Sequence, residues 1–165
     1  MHTKIHWITD SFGTMPRPRG KDWLEGEIIE FKRQDLSALV SLLENVEAVE
    51  LGLELEQHYS TKNGIEFLSY PIADYTVPRD FAHFEQFIDT LMERINQGGR
   101  VAIHCRAGIG RSTIVACSIL LKKGFSTEDA LQLISKKRGL AVPDTKEQVD
   151  WLKKFEKWIE KTVSS

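Results

Sequence analysis

The stretch "RVAIHCRAGIGRSTIVACSILLKKG", residues 100–124, decides the fold. It opens on a short apolar run, Val101 to Ile103, that ends in His104 and Cys105 and follows the breaker pair Gly98-Gly99. That is the pattern of a short buried strand. Gly108 and Gly110 come next, and residues 111–123 are mostly apolar and close on Gly124, a helix with its stop signal. Strand, glycine-containing loop and helix in that order place residues 105–110 at the carboxyl edge of a sheet, where open α/β sheets bind ligands. The loop amides and the positive end of the helix dipole favour an anion there.

Outward from this unit, strands and helices interleave. Upstream, Phe81, Phe84, Phe87, Ile88 and Leu91 repeat at helical spacing within 81–97. "KIHWIT" (4–9), "SALVSLL" (37–43) and "IEFLSYPI" (65–72) are expected strands, and 22–34 and 47–58 expected helices. "TMPRPRGK" (14–21) is an irregular loop because Pro16 and Pro18 disfavour helix and central strand. Its Arg17, Arg19 and Lys21 read first as solvated surface, with a border to the site that attracts an acidic substrate as the alternative. Downstream, Ser126 with Asp129 opens a helix that stops at Gly139, and Asp144 with Glu147 is expected to open the last one. The apolar stripe of that last helix, Val149 to Val163, is core packing. The expected fold is α/β: one domain over residues 1–165, with a mostly parallel sheet of about four to five strands flanked by helices.

Composition narrows the function. The chain has 165 residues, 41% hydrophobic and 28% charged, with a net charge of -2, so a nucleic-acid partner is not expected. No apolar run reaches the roughly 20 residues that span a membrane, and the first ten residues lack a signal peptide's apolar core. With two cysteines, Cys105 and Cys117, there is no disulfide framework, which fits a reducing, cytoplasmic setting, and a monomer is expected. Cys117, inside "STIVACSIL", is a packing residue. Cys105 differs: a thiol at a helix N-terminus or beside a cation has its pKa lowered to roughly 3.5–7.5 from about 8.5. Arg111 adds a planar fork that can hold two oxygens of a phosphate.

The chain resembles the cysteine-dependent protein tyrosine phosphatase superfamily, whose signature is His-Cys, five residues, Arg, then Ser or Thr; His104, Cys105, Gly108, Gly110, Arg111 and Ser112 match. The resemblance is nearest to small dual-specificity phosphatases of the kinase-associated type, whose acid loop also has Pro-Ile-Ala-Asp, as in "YPIADYTVP" here. It implies Cys105 as nucleophile, a phosphate cradle of Arg106, Ala107, Gly108, Ile109, Gly110 and Arg111, and no metal or cofactor. It implies Asp74, 31 residues before Cys105, as general acid, and Ser112 as the hydroxyl that eases thiolate departure. Asp80 is the rival acid, although its place before the Phe-rich helix suits an N-cap. His104 is an orienting group, and Gln148 stands where some relatives place a water-orienting glutamine, against the plainer reading of an exposed helix position. The implied substrate is a phosphoprotein carrying phosphotyrosine, with phosphoserine and phosphothreonine also accessible. A phosphoinositide phosphatase and a non-catalytic phosphate-binding module remain as alternatives.

Overall fold

The computed structural model describes residues 2–164. Five strands form one sheet in the order β1 (His6–Trp7), β2 (Phe12–Met15), β5 (Val101–His104), β3 (Ala38–Ser41), β4 (Glu66–Ser69). The β2–β5, β5–β3 and β3–β4 pairs are parallel, and β1 lies antiparallel to β2. β5 and β3 are buried along their whole length, as parallel strands covered on both faces must be.

Alternate strand residues supply two cores. Ala38, Val40, Val101 and Ile103 face α4 (Phe81–Asn96), α5 (Arg111–Lys122), α6 (Thr127–Arg138) and α7 (Lys146–Ser164). Leu39 and Ala102 face the other way, toward α1 (Leu24–Arg33) and the short helices α2 (Asn45–Glu50) and α3 (Glu56–Lys62). α5 is buried from Arg111 to Leu121, the centre of the larger core. Phe84 of α4 meets Trp151 of α7 edge-on, with ring centroids 5.3 Å apart, and Trp151 stacks on Phe155 at 5.0 Å. The stripe of α7 is core from Trp151 to Ile159, while Val149 at its start is only half-buried and Val163 is exposed.

Four local expectations change. The N-terminal strand is two residues rather than 4–9, because the chain reverses where the amides of Ile8 and Thr9 both donate to the Phe12 carbonyl. That reversal starts β2, which takes Thr14 and Met15 from the expected loop; one buried strand of four residues with Gly13 and Thr14 carries no alternating pattern. The helix expected over 47–58 is two, because Gly52 at φ 70° turns the chain between α2 and α3. Finally, α7 is not capped by Asp144 and Glu147. Thr145 Oγ1 accepts from the Gln148 amide at 3.1 Å and Gln148 Oε1 accepts from the Thr145 amide at 3.2 Å, a reciprocal capping box one residue later.

Candidate active site

Cys105 follows the last residue of β5 and α5 begins at Arg111, so residues 105–110 form a loop at the carboxyl edge of the sheet. Its carbonyls are held from outside, one after another. The Cys105 carbonyl lies 3.1 Å from His104 Nδ1, and the Arg106 carbonyl accepts from the Arg17 amide at 3.1 Å. The Ala107 and Gly108 carbonyls accept from Arg138 Nη2 and Nε at 3.2 and 2.9 Å. In a trans peptide the carbonyl of one residue and the amide of the next point in opposite directions. Pinning the carbonyls of 105–108 outward therefore aims the amides of 106–109 into the loop, an anion nest. The nest needs glycine at 108: φ is 72°, and a Cβ there would come within 2.5 Å of the Met15 backbone.

Arg111 closes the cradle and is buried, with 1% exposure. Its Nη1 donates to Glu47 Oε1 at 2.7 Å and to the Ile72 carbonyl at 2.8 Å; Nη2 donates to Glu47 Oε2 at 3.0 Å and stands 3.0 Å from Asp74 Oδ1. Its Nε has no hydrogen-bond partner among the described residues. A buried donor without an acceptor is costly. Burial pushes the Glu47 carboxyl up, but its bonds to Arg111 and to the Glu44 amide outweigh that and hold it below the ordinary glutamate value. Ser112, also buried, accepts from Cys105 Sγ at 3.5 Å.

The proposed acid arrives on the 70–80 connection. Asp74 is partly exposed and reaches Arg111; its Oδ1 also accepts from the Tyr75 amide at 3.0 Å. Tyr75 is exposed and held at φ 61°, an unusual conformation for a bulky residue. Asp80 is occupied elsewhere, accepting from the amides of Ala82 and His83 at 2.9 and 3.3 Å as the N-cap of α4. Gln148 is fully buried, not on an exposed helix face: its Nε2 donates to the Thr76 carbonyl at 3.2 Å and so ties the acid loop to the start of α7.

Several charged side chains sit otherwise than the sequence suggests. Arg19 is bound to buried Glu27 at 2.8 Å and lies over the Trp23 ring, stitched to α1 rather than free to attract substrate. Arg106 turns toward Glu47 and Glu50, at 3.5 and 3.6 Å, which leaves its amide for the cradle. Burial pushes the Cys117 thiol far above its ordinary range, consistent with packing. Three groups escape the sequence reading, Glu47, Arg138 and Glu56, which pairs with His104 Nε2 at 2.5 Å, and a fourth, Asp144, was read only as a helix cap. No short spacing ties any of them to the loop, so the sequence carries no signal for them.

A thiol, inward amides and an arginine fork at the head of a buried helix define an α/β domain built to hold a phosphoryl group. Residues 31–158 match the family described as the dual specificity phosphatase catalytic domain. The chain belongs to that family of cysteine-dependent protein phosphatases. The structure titled Tk-PTP in the active form superposes with a TM-score of 0.79 and 31% identity over 93% of this chain and 96% of that one. A kinase-associated phosphatase superposes with a TM-score of 0.80 at 22% identity, covering 90% of this chain and 87% of that one, a likeness of fold. Protein tyrosine phosphatase domain-containing protein 1 of Mus musculus is 27% identical over 93% of this chain, which spans 21% of that protein's length.

Proposed function

We propose that the chain is a single-domain, monomeric enzyme of a reducing, cytoplasmic compartment that hydrolyses phosphotyrosine in phosphoproteins, and phosphoserine and phosphothreonine as well, through a phosphocysteine at Cys105. The thiolate of Cys105 attacks phosphorus while the amides of 106–109 and the Arg111 guanidinium, through its open Nε, hold the equatorial oxygens. Asp74 gives a proton to the leaving oxygen as the P–O bond breaks. Water, deprotonated by the Asp74 carboxylate, then displaces the sulfur, and Ser112 donates to the departing thiolate. His104 holds the Cys105 peptide, and Gln148 fixes the acid loop against α7 within reach of that water. Neither a metal nor a cofactor is required, and neither nucleic acid nor a membrane is a partner. Among the described residues no helix is long and apolar enough to cross a membrane.

The unpartnered, buried Nε of Arg111 carries this reading: a donor left open at the end of a nest of inward amides asks for a tetrahedral oxyanion. Phenyl phosphate hydrolysis by the native chain and by Cys105→Ser tests it. Turnover by the native chain and its loss in the variant are expected; equal rates would remove Cys105 as nucleophile, and phosphate binding without turnover would make the chain a binding module. Comparing kcat/KM for a phosphotyrosyl peptide and a soluble inositol phosphate tests the substrate. Arg106, the basic side chain of the loop interior, is committed to α2, which favours the peptide.

A further inference from the structure

Asp144 is a carboxyl that the scheme above leaves unused. It lies on the connection between α6 and α7, exposed as a residue, yet one of its oxygens is pressed against the cradle. A Cβ built on Gly110 would stand 2.2 Å from Asp144 Oδ2 and 3.0 Å from Gln148 Nε2. Gly110 immediately precedes Arg111, so the carboxyl packs against the last residue of the loop. Capping does not explain its position, because Thr145 and Gln148 cap α7. Two charged groups act on it from other elements, Asp74 from the acid loop and Arg111 from α5. Burial of the carboxyl, then the charge of Asp74, pushes Asp144 above the ordinary aspartate value, and Arg111 opposes this. Asp74 meanwhile has Oδ1 engaged twice, by Arg111 Nη2 and by the Tyr75 amide.

We propose that Asp144 is a second proton-transfer group of this site, standing beside Asp74 over the loop and serving the leaving-group oxygen. The proposal rests on the phosphatase reading above. In the first step the P–S bond forms and the P–O bond breaks, while the proton on Asp144 Oδ2 passes to the leaving oxygen and the neutral phenol or alcohol departs. In the second step the Asp144 carboxylate takes a proton from water as the new P–O bond forms and the P–S bond breaks, returning thiolate, phosphate and a protonated Asp144. Asp74 and Asp144 thus offer alternative proton routes.

The test is kcat/KM against pH for two aryl phosphates: phenyl phosphate, whose phenol needs a proton to leave, and 2,4-dinitrophenyl phosphate, whose phenol leaves as an anion. Native chain, Asp144→Asn, Asp144→Glu, Asp74→Asn and the double variant Asp74→Asn/Asp144→Asn are compared. With phenyl phosphate, Asp144→Asn is expected to lose roughly tenfold and the double variant roughly tenfold more than Asp74→Asn alone, while Asp144→Glu restores most of the rate. With the dinitrophenyl ester the same variants stay within about twofold of native, since no proton is needed. Equal losses on both substrates would make Asp144 a structural prop, and a double variant no slower than Asp74→Asn would leave Asp74 as the sole acid; either overturns the proposal. A native chain inactive on both esters, or a Cys105→Ser variant as active as native, would instead overturn the phosphatase reading itself and this inference with it.

Discussion

Arg111 shows why one residue type is needed at one place. Two of its nitrogens are spent on Glu47, Ile72 and Asp74, and the third, Nε, is buried without a partner among the described residues. A lysine is a point charge with no fixed fork, so it can keep one of these bonds but not the geometry. Arg111→Lys is therefore expected to lower kcat/KM on phenyl phosphate by roughly 10² or more, with most of the protein still folded by circular dichroism. A loss under about threefold would mean that the charge alone suffices. The grouping of Cys105, Arg111 and Ser112 was legible because they lie within eight consecutive residues, where spacing alone brings them to one loop and the helix that follows it. Asp74 needed the family pattern as well. Glu47 was not legible, since it reaches Arg111 across 64 positions and a glutamate in a short helix looks like any solvated carboxylate.

At the level of elements, the amphipathic run 81–97 and the apolar run 111–123 were readable because each is long enough to show its period. β2 was not, because four residues with a glycine inside have no period to show. The end of α6 carries a function that its composition conceals. Its last-turn basic residues look like routine complements of the helix dipole, yet Arg138 reaches the Ala107 and Gly108 carbonyls while its Nη1 lies 3.0 Å from His6 Nε2. Arg138→Ala would release two carbonyls and let the amides of 108 and 109 rotate out of the nest. We expect inorganic phosphate to inhibit this variant roughly tenfold less strongly, with KM rising more than kcat falls. Unchanged inhibition would show that the loop holds its shape without α6. α7 contributes by packing instead: Phe155 is fully buried among Phe81, Phe84, Trp151 and Trp158. Phe155→Ala should cost about 3–5 kcal/mol in urea unfolding, with the rate per folded molecule nearly unchanged.

Across the whole molecule, the site is a junction of segments that are far apart in sequence, and buried carboxylates hold the junctions. Glu47 fastens α2 to the head of α5, while Glu27 fastens α1 to Arg19 and to the Thr3 amide. For Glu27 as for Glu47, burial pushes the carboxyl up, but hydrogen bonds and cations outweigh it and the net value is lowered. A carboxyl whose folded-state value lies below the unfolded one stabilises the fold fully above the unfolded value, here the ordinary 4.5, and that contribution is lost as pH falls through the folded value. The melting temperature should therefore be level from neutral pH down to about 5 and fall below 4.5, where the unfolded chain takes up protons that the folded one resists. Glu27→Gln and Glu47→Gln should each melt below native at pH 7 and show a shallower acid limb, so that the gap to native narrows as pH drops. Arg111 is also the partner of Glu47, so Glu47→Gln alone should lose phosphatase activity along with stability. Variants whose melting curves ran parallel to native through the acid range would show that these two carboxylates do not couple the fold to pH.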